Sequence, residues 1–197
     1  MLLAIDAGNT NTVFALMRDG SILQKWRIST ASARTPDEYM VWISQLMAMA
    51  NIQRSDVSAA IIASVVPSTV FHLKRLCEHY FNVDPLVVGD AGVDLGIEVK
   101  LPNPNEVGAD RLVNAVAGFH FYQQAQILID FGTATTFDVV GQDGNYHGGV
   151  IAPGINLSVD ALHAAAAKLP KIAVEPPQQG RVIGKSTIEA MQSGVMW

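Results

Sequence analysis

The chain opens with three short apolar segments separated by turn residues. Leu2–Asp6, Thr12–Met17 and Leu23–Ile28 are predicted strands, because each is an apolar run bounded by turn signals. Gly8–Thr10 separates the first two, and Arg18–Gly20 is a favourable hairpin turn between the second and third. The pattern predicts a three-stranded antiparallel meander.

Helices and strands are predicted to alternate after the meander. Thr35 followed by Pro36 starts a helix that runs to about Ala50, since Thr is a favourable N-cap and Pro is tolerated in a first turn. Its apolar stripe is formed by Tyr39, Ile43, Leu46 and Met47. The later elements are a strand, a helix, a strand and a long helix: Ala59–Val65, Pro67 to about Tyr80, Pro85–Val88, and Pro104 to about Gln124.

The pattern then restarts. Three predicted strands, Ile127–Asp130, Thr136–Val140 and His147–Ile151, are followed by a helix from about Ile155 to Ala167. At an offset of 124 residues the two blocks share five identical residues: Asp6 and Asp130, Gly8 and Gly132, Thr12 and Thr136, and Asp19-Gly20 and Asp143-Gly144. We interpret this as an internal duplication. The alternative is a chance likeness between two hairpins, because Asp and Gly are common in turns.

The duplicated segments have the composition of phosphate-binding loops. In both, a strand ends in Asp and is followed by Gly and hydroxyl-rich residues, so backbone N–H groups and small side chains can approach a phosphate. The two loops are Asp6–Asn11 and Asp130–Thr136. A related pair predicts a nucleotide held in a cleft between two lobes, an arrangement suited to phosphoryl transfer. The alternative for each loop alone is an ordinary hairpin.

Asp6 and Asp130 each end an apolar run. A carboxylate there is costly to desolvate unless it meets a cation or several donors, and a hydrated Mg²⁺ satisfies this demand.

The composition of the chain argues against several classes of protein. The chain has 197 residues, of which 49% are hydrophobic, and a net charge of −5, which argues against an extended nucleic-acid surface. Cys77 is the single cysteine and the five histidines lack zinc-ligand spacing, so we expect a cytoplasmic protein. The apolar stretch Gly148–Leu169 contains Pro153 and Asp160, which argues against a membrane span.

Several long motifs occur in order along the chain. They are Asp6-x-Gly8-Asn9-Thr10, Asn103-Pro104-x-Glu106-Val107-Gly108-Ala109-Asp110-Arg111, Asp130-Phe131-Gly132-Thr133-Ala134-Thr135-Thr136, Gly148-Gly149-x-Ile151-x-Pro153-Gly154 and Gly184-Lys185-Ser186-Thr187. Together they resemble the type III pantothenate kinases. The resemblance implies two duplicated actin-like α/β lobes, residues 1–115 and 116–197, with ATP bound between them. It also implies ATP-dependent phosphorylation of pantothenate, the first step of coenzyme A biosynthesis.

The resemblance also implies roles for individual residues. The ATP-binding residues would be those of the two loops: Asp6, Gly8, Asn9, Thr10, Asn11, Gly132 and Thr133. Asp6 would hold Mg²⁺ through water, and Asp130 would help to hold a monovalent cation, K⁺ or NH₄⁺.

The pantothenate site would be built around the Gly108–Arg111 segment. Asp110 would act as the base that deprotonates the substrate hydroxyl, Arg111 would pair with its carboxylate, and Gly108 would line the pocket. Thr187 would reach the pocket from the other subunit of a homodimer. The residues themselves allow this role for Asp110 and Arg111, since an acid beside a base near a helix start can accept a proton and anchor an anion. The alternative is an ordinary helix-start acid followed by a solvated Arg.

One position departs from the family. Leu101 stands where these kinases commonly have a tyrosine two residues before Asn-Pro. A hydrogen bond to the substrate is therefore expected to be missing.

Two other functions remain open from the sequence. The chain could be another actin-like small-molecule kinase, for a sugar or acetate, against which the Gly108–Arg111 segment argues. It could also be a regulator that binds ATP without phosphorylating anything. Finally, the second block has fewer predicted elements than the first and stops at the apolar segment Gly194–Trp197, so we expect an incomplete second lobe and impaired activity.

Overall fold

The computed structural model describes residues 1–177 and 181–196. Its main elements, in order, are β1 (Leu2–Ala7), β2 (Asn11–Arg18), β3 (Ser21–Ser29), α1 (Pro36–Met49), β4 (Ala59–Ser64), α2 (Pro67–Leu76), β5 (Leu86–Val87), α3 (Ala109–Tyr122), β6 (Gln126–Phe131), β7 (Ala134–Val140), β8 (Tyr146–Pro153), α4 (Ile155–Ala165) and α5 (Thr187–Met196). Every predicted strand and helix is present. Trp197, which ends the predicted apolar terminal segment, lies outside the described residues.

Two sheets organise these elements. The first has the order β3-β2-β1-β4-β5, with β1 antiparallel to β2 and parallel to β4. The second has the order β6-β7-β8 and is antiparallel throughout. Both therefore open with the same meander, and the hairpin turn at Asp19 and Gly20 has the positive φ angles, 51° and 76°, that its sequence predicts.

The strand register refines the predicted duplication. In the first meander Ala7 pairs with Thr12, and in the second Phe131 pairs with Thr135. The loop between the paired strands is thus three residues long in the first copy and two in the second. Because the second loop is one residue shorter than the first, the structural equivalent of Thr12 is Thr135. The predicted alignment of Thr12 with Thr136 at a constant offset is therefore wrong.

The first lobe has an apolar core between its sheet and the helices that pack on it. Helix α1 begins at the N-cap Thr35, whose hydroxyl accepts the Glu38 N–H while the Glu38 carboxylate accepts the Thr35 N–H. The α1 face that packs on the sheet is formed by the buried residues Tyr39, Met40, Ile43 and Met47. Leu46, predicted in this stripe, is only partly buried. Helix α2 continues into a π-helical turn, Cys77–Phe81, and burial raises the pKa of the Cys77 thiol to about 12.

The second core lies under the second sheet and includes residues that come before α3. Val107, Leu112, Ala115, Val140 and Tyr146 form its buried centre. The segment 98–100 pairs with the start of β8, since Tyr146 donates its N–H to Glu98 O and Lys100 donates to Tyr146 O. Helix α3 contacts both β4 and the second sheet. It therefore joins the two lobes.

Helix α3 starts later than the sequence suggests. Pro104–Glu106 form a short 3₁₀ turn, and the α-helix begins only at Ala109 after the extended N-cap Gly108. A Cβ on Gly108 would lie 2.6 Å from Asp110 Oδ1. The break in the helix thus lets the Asp110 side chain fold back over its own N-terminus.

In the described part of the chain no helix is both long and apolar enough to cross a membrane.

Candidate active site

A cleft of about 710 Å³ lies where the ends of the two meanders face each other. It brings together every residue predicted to bind ATP and two further predicted site residues: Asp6, Gly8, Asn9, Thr10, Asn11, Gly132 and Thr133, with Asp110 and Asp130. These residues come from β1, the two loops, the start of β2, α3 and β6. The duplication therefore places both loops at one site.

The first loop is fixed by hydrogen bonds from the strand next to it. The Gly8 N–H donates to Asn11 O at 3.0 Å, and the Thr30 N–H donates to Thr10 O at 2.9 Å. The Thr30 hydroxyl also donates to Gly8 O at 2.7 Å. Thr30, which sequence reasoning did not single out, directly follows β3 and therefore helps to set the shape of this loop.

The second loop is fixed by the start of α4. The Gly132 N–H donates to Ala134 O at 2.9 Å, and the Gly154 N–H donates to Thr133 O at 3.1 Å. A Cβ on Gly154 would lie 2.3 Å from Thr133 O and 2.4 Å from Gly132 O, so only glycine allows this approach. The contact brings the N-terminal end of α4, with its favourable potential for anions, next to the loop.

The two loops also touch each other. The Thr10 and Thr133 hydroxyl oxygens are 3.0 Å apart, and either can be the donor. Sequence positions 123 residues apart thus meet at the centre of the cleft.

Four carboxylates line the same space, those of Asp6, Asp110, Asp130 and Asp160, and the last of these is paired with Lys171 Nζ at 3.0 Å. Desolvation in the cleft, followed by repulsion from Asp110 and Asp130, raises the pKa of Asp6 above its ordinary value. Among the described residues, no three His, Cys, Asp or Glu side chains are grouped closely enough to hold a metal ion by themselves. The donor set suits a cation whose other ligands are phosphate oxygens and water.

Arg27 supplies positive charge to this acidic cleft. It lies on β3 with its side chain exposed, and it is the cationic side chain among the cleft residues that the structure describes. Within the described part of the chain it has no carboxylate partner within 4.0 Å. Sequence reasoning missed Arg27, because an Arg in an exposed strand gives no local sign that it faces a distant loop.

Asp110 lies at the edge of the cleft, in the first turn of α3. Its Oδ1 accepts the backbone N–H of Arg111 at 2.8 Å, which orients the carboxylate. The neighbouring residues Gly108 and Arg111 are outside the set that lines the cleft. Arg111 instead extends into the second lobe.

The Arg111 side chain is held by a carboxylate that the sequence analysis did not single out. Its Nε lies 2.7 Å and its Nη2 lies 2.6 Å from Asp138 Oδ1. The guanidinium carbon is 5.6 Å from the centre of the Tyr146 ring. The available signal was the alternation along β7, which turns Asp138 to the same buried face as Thr136 and Val140.

Thr187 is at the start of α5 and is exposed. It is not among the residues that line the cleft of its own chain. The local fold is nevertheless well defined, since Ser186 Oγ accepts the Glu189 N–H at 3.2 Å and the Glu189 carboxylate accepts the Lys185 N–H at 2.6 Å.

Leu101 is part of the second core rather than of the cleft. It packs against the cluster formed around Leu112 and Tyr146, and its Cδ2 would lie 3.3 Å from a Cβ on Gly148. An apolar side chain is therefore accommodated here by packing.

Comparison with known families decides among the functions left open by the sequence. The family model described as type III pantothenate kinase matches residues 2–197. The chain belongs to this family. It is 61% identical over 197 residues to a type III pantothenate kinase of Paramagnetospirillum magneticum, covering all of this chain and 75% of the relative. A type III pantothenate kinase of Rhodospirillum rubrum is 57% identical over 195 residues, covering 99% of this chain and 75% of the relative.

Type III pantothenate kinases transfer a phosphoryl group from ATP to pantothenate with the help of a divalent metal ion, in the first step of coenzyme A biosynthesis. The predicted family and activity are confirmed. The chain spans about three quarters of the length of the curated type III pantothenate kinases it matches.

Solved structures support the fold. A protein from Sinorhizobium meliloti described as a 2-dehydro-3-deoxygalactonokinase matches with a TM-score of 0.57 at 12% identity, covering 99% of this chain and 77% of that one. A Campylobacter jejuni protein described as a Baf family transcriptional activator matches with a TM-score of 0.55 at 16% identity, covering 98% and 73%. Identities this low bear on the fold alone, and the predicted actin-like α/β architecture is confirmed.

Proposed function

We propose that Asp110 is the general base of the pantothenate kinase reaction in this chain. The observation that carries the proposal is its position in a cleft that both predicted phosphate loops line. A base must come within hydrogen-bond reach of the hydroxyl that attacks the γ-phosphorus. Asp110 lines the cleft beside the loops, so it would be within reach of an alcohol bound between α3 and the loops.

The triphosphate is bound by the two loops, with Thr10 and Thr133 as hydroxyl donors. Glycines at positions 8, 132 and 154 keep the backbone accessible, and the N-terminal end of α4 adds positive potential. The exposed guanidinium of Arg27 offsets part of the phosphate charge. Transfer of a phosphoryl group depends mainly on such positioning and charge neutralisation.

Asp6 binds the divalent metal ion through water. A magnesium ion bound there would neutralise charge on the phosphate oxygens. The pKa of Asp6 is raised by desolvation and then by repulsion from Asp110 and Asp130, and a cation beside Asp6 would offset that repulsion.

Asp130 helps to hold a monovalent cation, K⁺ or NH₄⁺. It is exposed at the end of β6, directly before the second loop, and lines the same cleft. A monovalent ion at this carboxylate would further reduce the repulsion that the triphosphate meets.

The carboxylate of pantothenate is bound by Arg111, beside Gly108. The exposed position of Thr187, away from the cleft of its own chain, is compatible with a role in the site of a second subunit. We accordingly propose a homodimer in the cytoplasm. The division into lobes at residues 115 and 116 remains a prediction, and it would fall within α3.

The decisive experiment is an ATP-dependent phosphorylation assay with pantothenate and a panel of sugars and acetate. Asp110→Asn is expected to lower kcat by about 10²–10⁴ with the ATP Kd unchanged. Asp19→Asn is the matched control, because it removes a carboxylate at the opposite end of β2 in a turn where Asn also tolerates φ of 51°. A near wild-type rate for Asp110→Asn would assign the base to another residue.

A further inference from the structure

A buried polar cluster lies behind the proposed pantothenate pocket. Asp138 is 1% exposed and accepts two hydrogen bonds at Oδ1, from Arg111 Nε at 2.7 Å and from the Tyr146 hydroxyl at 2.7 Å, and Arg111 Nη2 lies 2.6 Å from the same oxygen in the ion pair. Its Oδ2 accepts the Thr136 hydroxyl at 3.2 Å. Both oxygens of the Asp138 carboxylate therefore accept hydrogen bonds from residues of the same chain.

The buried negative charge of Asp138 is compensated by the positive charge of Arg111, and the reverse also holds. The Arg111 side chain is 15% exposed, so both charged groups are largely removed from water. A charge left alone at such a position is strongly destabilising, whereas a pair with good geometry is tolerated. Desolvation, followed by the hydrogen bond to Asp138, raises the pKa of the Tyr146 phenol, so Tyr146 remains a donor to this carboxylate.

The geometry leaves one edge of the guanidinium available. A guanidinium has five N–H donors, and Asp138 accepts the one at Nε while Nη2 stays in ion-pair contact with the same oxygen. The remaining donors lie at Nη1 and Nη2, the edge that can bind a carboxylate through two parallel hydrogen bonds. A Cβ on Gly149 would be 2.7 Å from Nη2 and 2.2 Å from Phe137 O, so glycine at this position leaves the guanidinium room.

We propose that Asp138 is a positioning residue for pantothenate recognition. By holding the Nε side of Arg111, it aims the Nη1 and Nη2 donors at the substrate carboxylate. The inference rests on the proposed role of Arg111, and it goes beyond that role by assigning the orientation of the guanidinium to a buried carboxylate on β7.

If Asp138 positions Arg111, its substitution should affect only the use of pantothenate, and only through the pantothenate carboxylate. Asp138→Asn should lower kcat/KM for pantothenate by about tenfold or more, the scale of losing a hydrogen bond to a charged group. The Kd for ATP should change by less than about twofold, because Asp138 is outside the set that lines the ATP cleft. With pantothenol, which keeps the reacting alcohol but lacks the carboxylate, the same substitution should have little effect.

The test is a double-mutant cycle in the full chain. kcat/KM for pantothenate is measured in the wild type, in Asp138→Asn, in Arg111→Ala and in the double variant. If Asp138 acts through Arg111, Asp138→Asn costs little once Arg111 has been removed. Asp138→Glu is the second variant, since it keeps the buried charge but moves the carboxylate by one methylene. It should also raise the pantothenate KM without changing the ATP Kd.

Tyr146→Phe is the matched control for loss of buried hydrogen bonding. It removes one donor to the same oxygen but leaves both Arg111 contacts and the aromatic ring. We expect lower thermal stability and a pantothenate KM within about twofold of wild type.

Each result has a separate meaning. An unchanged pantothenate KM in Arg111→Ala would overturn the proposed role of Arg111 itself. A raised KM in Arg111→Ala with unchanged kinetics in both Asp138 variants would overturn only the positioning role. Equal losses for pantothenate and pantothenol, or additive losses in the cycle, would show that Asp138 acts on the fold alone.

Discussion

The hydroxyl groups of Thr10 and Thr133 are 3.0 Å apart, one on each of the two loops that face each other in the cleft. This hydrogen bond links two segments that the duplication relates to each other and that belong to different sheets. A triphosphate bound between the loops would replace the hydroxyl–hydroxyl contact with hydroxyl–phosphate contacts. The two threonines are thus expected to act together in nucleotide binding.

Removing either hydroxyl should weaken ATP binding. We expect Thr10→Val and Thr133→Val each to raise the ATP Kd by about three- to tenfold, the scale of one hydrogen bond to a charged group. Calorimetric titration with ATP measures the effect. Thr133→Ser, which keeps the hydroxyl, serves as the control, and wild-type affinity in both valine variants would contradict a role in phosphate binding.

Asp6 should make the protein less stable in the absence of a cation. Because its pKa is raised in the folded state, the folded chain binds this proton more tightly than the unfolded chain does. Stability is then lost as pH rises from the ordinary carboxyl pKa through the raised one. We expect Asp6→Asn to raise the Tm by about 1–3 °C at pH 7, an amount already reduced for screening in an open cleft.

The pH dependence provides the control for this prediction. The gain in Tm for Asp6→Asn should disappear below about pH 4, where the wild-type carboxylate is protonated. Thermal unfolding of both proteins at several pH values, without metal or nucleotide, measures it. A gain that is the same at every pH would assign the effect to packing instead of charge.

Asp130 should make the activity depend on the monovalent cation. We expect turnover to be higher in K⁺ or NH₄⁺ than in Na⁺, and we expect Asp130→Asn to remove most of this difference. The same substitution should weaken ATP binding more than pantothenate binding, because Asp130 adjoins the second phosphate loop. Equal wild-type rates in the three salts, at constant ionic strength, would contradict the role of Asp130 in binding a monovalent cation.

Arg27 should contribute to triphosphate binding. We expect Arg27→Gln to raise the ATP Kd by about tenfold, and to reduce the salt dependence of binding, since one charge-assisted contact is lost. Lys25→Gln is the matched control, because Lys25 lies on the same face of β3 but outside the cleft. Equal effects of the two substitutions would indicate a general electrostatic contribution.

Local patterns in the sequence were sufficient to predict the elements of this fold. The turn at Asp19 and Gly20 and the cap at Thr35 are determined by residues within four positions of each other, and both are present in the structure. The predicted loop residues also meet in one cleft, because duplicated meanders bring equivalent strand ends together.

Features that depend on distant contacts could not be predicted in this way. Asp138 meets Arg111 only because α3 packs against β7, and no pattern near either residue identifies the pairing. The delayed start of α3 depends on the close approach of Gly108 to Asp110 and Val65. The roles of the site residues remain predictions until the variants above are measured.

The unequal length of the two loops has a consequence for how a polyphosphate chain can lie in the cleft. Two identical loops related by a twofold axis would offer the same donors from either side, so the chain could bind in either direction with equal affinity. Only one direction would point the terminal phosphorus towards Asp110. The three-residue loop after β1 and the two-residue loop after β6 break this symmetry, so a polyphosphate chain would meet different donors in its two directions.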